Sequence, residues 1–154
     1  RYKSLDASIL FSYSIGNKTW NHNRMLGETG GTLDANRVLL KSQLERWTTP
    51  GQITDVPRLS TANYSIQENS RYLEDASFLR LRNISIGYTF NKSSSERIRL
   101  KNLRLYVSAS NLFLITPYSG ADPEANLGTE NIQGYDYGTP PQPRTFQFGI
   151  QASL

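Results

Sequence analysis

The sequence has no cysteine, which excludes disulfides, thiol catalysis and cysteine metal sites together. Its one histidine, His22, stands in the polar run NKTWNHNRM with no second imidazole and no nearby carboxylate, so neither a catalytic triad nor a histidine metal site is expected. Nor does any apolar run approach the roughly 18 residues of a membrane helix; the longest is LFLI, Leu112 to Ile115. The opening RYKSLDASILF carries no signal-peptide pattern and starts at once on alternating residues, so the true N-terminus is expected to lie upstream. Lysine and arginine are scattered singly despite a net charge of +4, and no nucleic-acid motif appears, which argues against nucleic acid as a partner. Ser93 to Ser95 lack elbow glycines and a base, and read as a turn. No enzyme and no cofactor are expected.

What the sequence does have is alternation. With 37% hydrophobic and 19% charged residues, the 154-residue chain lies in the globular range and can build a modest core. From Leu5 to Ile15, Leu5, Ala7, Ile9, Phe11, Tyr13 and Ile15 fall on one face, opposite Asp6, Ser8, Leu10, Ser12 and Ser14. Ile84, Ile86, Tyr88 and Phe90 repeat the pattern, as do Leu103, Leu105, Val107 and Ala109. In the final run RTFQFGIQASL, Phe146, Phe148, Ile150, Ala152 and Leu154 alternate with Thr145, Gln147, Gly149, Gln151 and Ser153. Strands are therefore expected at about 3–15, 78–90, 102–114 and 144–154.

Each run is about twice the five or six residues usual in soluble sheets, and close to the roughly 9 to 11 that cross a bilayer as a tilted barrel strand. A mean hydropathy of −0.52 is no objection, because only alternate residues of such a strand meet lipid. The connections are long, short, long: outer loops at about 16–77 and 115–143 flank the brief NKSSSERIRLKN. Outer-membrane barrels show this asymmetry, with long loops outside and tight turns on the periplasmic side, which would leave the C-terminus periplasmic. Phe11, Tyr13, Phe113, Phe146 and Phe148 would then lie near the outer interface, and Tyr88 and Phe90 near the inner one.

One segment resists. Arg80 and Arg82 share parity with Ile84 and Ile86, so a regular strand would aim two arginines at lipid. Either a β-bulge near Arg82 and Asn83 switches faces and aligns Leu79 and Leu81 with Ile84, or that stretch projects above the membrane. The projection is the expectation. Within the first loop, Leu40, Leu44 and Trp47 recur at helical spacing, which predicts a short helix over about 35–47, capped by Asp34 and ended by Pro50 and Gly51.

Four strands with a lipid-facing side cannot close a barrel or satisfy their own edges in hydrocarbon. Three phrases bear on this: YLEDASFLRLRNISIGYTF from Tyr72, LKNLRLYVSASNLFLITPYSGADPE from Leu100, and YDYGTPPQPRTFQFGIQASL from Tyr135. In order and spacing they resemble the C-terminal end of the SusC/RagA family of TonB-linked outer-membrane transporters, and RWTTPG followed by DVPRL is similar to that family too. The chain departs from the family in ending on Leu154, where an aromatic residue is usual. The resemblance implies an all-β fold: about four C-terminal antiparallel strands of a large transmembrane β-barrel, whose plug domain and N-terminal strands are absent from this sequence. It also implies a bacterial outer-membrane importer of glycan oligomers or peptides, with a SusD-like surface lipoprotein as lid. TonB would act through the missing N-terminal part.

The candidate contacts with substrate or lid are the loop aromatics Trp20, Trp47, Tyr64, Tyr118, Tyr135 and Tyr137, whose flat faces and polar edges suit sugars and peptide side chains. For Trp47, packing within its own loop is the favoured alternative. Asp122 and Glu124 around Pro123, with Asp136 beyond, raise a calcium site, but their spacing fits no EF-hand and turn chemistry is preferred. Gln147, Gly149, Ala152 and Leu154 resemble the last-strand signal read by the barrel-assembly machinery. Two other readings compete: a four-strand subunit of an oligomeric outer-membrane barrel, which should carry a long heptad helix that Arg1 to Ile15 does not show, and a soluble carbohydrate-binding β-sandwich, which predicts shorter strands.

Overall fold

Strict alternation selects extended backbone, because only a two-residue period puts every apolar side chain on one face. In the computed structural model, which describes residues 2–28, 39–58, 70–91, 99–124 and 133–153, the long alternating runs are strands. They are β1 (Leu5–Ser14), β4 (Phe78–Thr89), β5 (Asn102–Ser110) and β8 (Thr145–Ser153). They form one antiparallel sheet in the order β1-β4-β5-β8. The chain divides into two units, and this sheet belongs to the first, made of Arg1–Ile15, Ser77–Thr116 and Gln142–Leu154.

The register sorts the sheet into rows. Leu5, Tyr88, Leu105 and Ile150 share one row of the apolar face; Ala7, Ile86, Val107 and Phe148 the next; Ile9, Ile84, Ala109 and Phe146 the third. Phe148 thus lies beside Val107, three residues in from the start of β8. On the opposite face Ser8, Ser85, Ser108 and Gln147 line up. The chain leaves the apolar face open: Phe148 is 81% exposed, Ile150 72% and Phe146 65%. Burying such side chains is worth about 1.5–3 kcal/mol each, so the face demands an apolar environment that the described residues of this sheet do not supply.

Of the two readings of the Arg80–Arg82 stretch, the β-bulge near Arg82 and Asn83 is present. β4 is continuous, and the register shifts between Leu10 and Phe11: Leu10 faces Asn83, Phe11 faces Leu81, and Arg82 is the extra residue of a β-bulge. One added residue inverts parity. Leu79 and Leu81 therefore join the row side of Tyr13 and Phe11, while Arg80 faces Ser12 and the Arg82 Nε donates to Ser12 Oγ at 2.8 Å. Both arginines end on the polar side. β5 also stops earlier than its sequence suggests. Asn111 takes a left-handed φ of 55°, its side-chain amide donates to the Pro143 carbonyl, and pairing with β4 resumes only at β6 (Leu114–Ile115).

The second unit, Gly16–Ala76 with Pro117–Pro141, folds the two loops. Its small sheet has the order β3 (Leu73–Asp75), β2 (Lys18–Asn21), β7 (Tyr135–Asp136), with β2 and β7 parallel. A helix that periodicity did not announce, α1 (His22–Glu28), follows β2 directly. The Asn21 carboxamide oxygen caps it by accepting from the Arg24 backbone N–H at 2.9 Å. The helix expected over about 35–47 is, in its described part, only a 3-10 turn at Lys41–Glu45, and Leu44 is 76% exposed instead of facing a core. Asp34 lies outside the described residues.

Candidate functional site

The second unit is organised by charge. Glu28, at the end of α1 and almost fully buried, accepts from Arg24 Nε at 2.9 Å, Ser42 Oγ at 3.1 Å, and Arg71 Nε and Nη2 at 3.2 and 3.0 Å. Arg24 extends the chain of contacts, donating through Nη1 to Glu74 Oε1 at 2.9 Å. Glu74 in turn accepts from Asn21 Nδ2 and from the backbone N–H and hydroxyl of Ser119. Beneath the arginines lies Tyr72, only 1% exposed, with each guanidinium 6.0 Å from its ring centre and the Trp20 ring against its edge.

Burial alone would raise the Glu28 and Glu74 carboxyls. The hydrogen bonds and charges of Arg24 and Arg71 on Glu28, and of Arg24 with Ser119 on Glu74, outweigh it and hold both below their ordinary value. Burial comes first for Tyr118 as well, with its bond to Asp136 next, and both push its hydroxyl strongly upward.

The predicted contact residues separate into different roles. Tyr118 is buried and gives its hydroxyl to Asp136 Oδ2 at 2.8 Å, which ties it to the fold. Trp20 sits half-buried on β2, and its indole N–H has no hydrogen-bond partner among the described residues. Trp47 lines a shallow cavity of about 550 Å³ with Thr54, Asp55, Val56, Pro57, Arg58 and Arg71. Tyr135 and Tyr137 come together on His22: the Tyr135 hydroxyl lies 2.6 Å from Nδ1, and the Tyr137 ring meets the imidazole edge-on at 4.7 Å. Tyr64 lies outside the described residues. His22 is thus enclosed by aromatic partners from β7 and the residues after it.

Asp122 Oδ1 accepts the Glu124 backbone N–H at 3.0 Å, a turn contact, and Asp136 is occupied by Tyr118 and Asn23. Among the described residues no group of three acidic or histidine side chains converges on a metal position. Of the last-strand residues, Gln147 faces Ser108, Gly149 faces Tyr106 and Ala152 faces Leu103, while Leu154 lies outside the described residues. Sequence reasoning missed the charge network because Arg71 and Glu74 meet α1 from 43 and 50 positions away. Only Arg24 and Glu28, spaced i,i+4, left a local signal.

No family model matches the chain. Among curated proteins it is 38% identical to TonB-dependent receptor P3 of Formosa agariphila, over 97% of this chain and 15% of that receptor. It is 34% identical to TonB-dependent receptor SusC of Bacteroides thetaiotaomicron over 54% of this chain and 8% of SusC. Among solved structures it superposes on the RagAB peptide transporter with a TM-score of 0.84 and 32% identity, covering 100% of this chain and 16% of that one. The RagAB peptide importer in its closed-closed state gives a TM-score of 0.82 at 33% identity. The chain spans about one sixth or less of the length of these relatives. An open apolar sheet face, strands of membrane-crossing length and agreement over the whole chain lead to one conclusion: it belongs to the SusC-type TonB-dependent receptors, as a stretch of their transmembrane β-barrel with its loops.

Proposed function

We propose that residues 1–154 are the C-terminal segment of a TonB-dependent outer-membrane importer, whose plug domain and earlier strands belong to the rest of the protein. The cargo is peptides or glycan oligomers, captured beneath a SusD-like surface lipoprotein and released inward when TonB pulls on the plug. The agreement with the RagAB peptide importer across 99% of this chain carries the reading. The protein works by transport and needs neither bond chemistry nor a cofactor. Its strands cross the outer membrane with the C-terminus in the periplasm, are inserted by the barrel-assembly machinery, and present loops 16–77 and 115–143 outside.

Within those loops, exposed Tyr137 and the Trp47 cavity are the surfaces offered to cargo or lid, and Trp20, Tyr135 and Tyr64 are further proposed contacts. Tyr118 is withdrawn from contact by its burial. The test is a deletion of the full-length gene in its host, followed by uptake of labelled peptide and oligosaccharide mixtures and by affinity purification of the tagged protein. Loss of uptake for one cargo class and co-purification of a surface lipoprotein are expected. Unchanged uptake of both, with no lipoprotein recovered, overturns the reading. Trp47→Ala and Tyr137→Ala should each lower cargo or lipoprotein affinity about tenfold, the scale of one well-placed aromatic contact; wild-type affinity in both removes them from the site.

A further inference from the structure

On the polar face of the first unit's sheet one row reads Asp6, Gly87, Tyr106 and Gly149 across β1, β4, β5 and β8. Neither glycine has a left-handed backbone, so what each supplies is space. A Cβ on Gly149 would stand 2.2 Å from the Tyr106 ring, and one on Gly87 2.3 Å from the Arg104 guanidinium. Arg104 crosses Gly87 to donate through Nε and Nη2 to Asp6 at 3.1 and 2.6 Å, and gives Nη1 to Gln151 at 3.1 Å. Its guanidinium lies 5.2 Å from the Tyr106 ring centre. Two side chains therefore lie flat over two bare glycines, and the contacts reach all four strands.

Alternation leaves the register of β8 unsolved. A slip of one residue inverts every side chain and is strongly disfavoured. A slip of two returns Phe146, Phe148, Ile150 and Ala152 to the apolar face, so burial in lipid does not discriminate against it. Such a slip would, however, bring Gln147 or Gln151 opposite Tyr106, and put a Cβ where the ring now lies.

We infer that the seating of Tyr106 over Gly149 is the register key that selects one pairing of β8 from those the alternation allows. Arg104–Gln151 and Ser108–Gln147 hold the same register on either side. The inference rests on reading the sheet as a membrane wall, where the slipped pairings would otherwise be nearly equal.

This chain contributes no cysteine, so introduced pairs report register without interference from it. In the full-length protein, expressed in the outer membrane of its host, the pair Ser108→Cys with Gln147→Cys reports the observed register. Ser108→Cys with Thr145→Cys, and Ser110→Cys with Gln147→Cys, report the two slips. With Tyr106 intact only the first pair should form a disulfide; Tyr106→Ser should raise at least one slipped disulfide tenfold or more. Gly149→Ala should lower the inserted protein at least fivefold, and adding Tyr106→Ser should restore it. Slipped disulfides that stay at the parent level, or a double variant no better than Gly149→Ala, overturn the key. Should Tyr106→Ser yield too little protein, Tyr106→Phe decides: it keeps the ring and must insert with only the first disulfide, and its failure overturns the key. High-pH washing separates the two readings: parent protein released from membranes overturns the membrane wall and the key with it, whereas Tyr106→Ser protein that stays membrane-bound with slipped disulfides at the parent level overturns the key alone.

Discussion

The two units of this chain are ordered by opposite means. In the sheet, backbone ladders and alternation do the work, and most large side chains on the apolar face are exposed. In the loop unit, strands are two to four residues long and a chain of partly buried ion pairs holds them. Residues beside one another in the sheet are placed by a period of two. Residues beside one another in the loop unit are placed by charge, and a charge network can be assembled from distant positions only because each member's partners are fixed.

The difference can be broken from either side, and the largest effect is expected in the sheet. Val107→Arg puts a cation in the second row of the apolar face and should cost about 2–4 kcal/mol of stability in lipid, read by denaturant unfolding of the inserted protein. Ser85→Arg, on the opposite face of the adjacent strand, should insert normally. If both behave alike, the assignment of faces is wrong.

Next in size is Glu28→Gln, which leaves Arg24 and Arg71 without their shared carboxylate. Both arginines keep about a quarter of their side chains in water (28% and 25%), so the cost should be about 2–3 kcal/mol, below the roughly 3–5 of a fully buried pair. Hydrogen exchange of α1 and β3 should rise while β4 and β5 stay protected; equal loosening of the sheet would contradict the separation. Acid probes the same contacts. Since the Glu28 and Glu74 carboxyls are depressed in the fold, their contribution is complete above the ordinary carboxylate value of 4.5 and is lost as pH falls through their lower folded values. The loops should therefore open below about pH 4.5 before the sheet does.

Tyr118→Phe is the mildest. It takes one hydrogen bond from Asp136, which is fully buried and keeps Asn23, and should cost about 1–2 kcal/mol. Protease cleavage within 16–28, monitored against temperature, would show it; no shift would mean that water replaces the lost hydroxyl.

The sheet was legible in the sequence because a period of two is a local property that survives without knowledge of partners. β1 and β8 could be read residue by residue. The Arg82 bulge could be read only as a conflict of parity, because its resolution depends on the facing strand, where Leu10 and Phe11 straddle it. The loop unit was mostly illegible. Leu40, Leu44 and Trp47 carry helical spacing, yet the fold uses Leu40 to fill the space beside Gly27, where a Cβ would come within 2.5 Å of it. The aromatic candidates were chosen by residue type, which cannot distinguish a hydroxyl bonded to Asp136 from the exposed ring of Tyr137.

The bulge at Arg82 also governs how this stretch of chain tolerates changes in length. Sidedness along a strand is a phase, and inserting or removing one residue normally reverses it for everything that follows. Arg82 is already an inserted residue. Removing it would bring Leu79, Leu81 and Ile84 into simple alternation opposite Tyr13, Phe11 and Ile9, at the loss of the Ser12 contact and of the Arg82 carbonyl that accepts the Asn111 N–H. A deletion at Ile84 or Ile86 would instead reverse the phase of the rest of β4. Among single-residue deletions in this strand, those at the bulge, Arg82 or its neighbour Asn83, therefore leave both faces as they were.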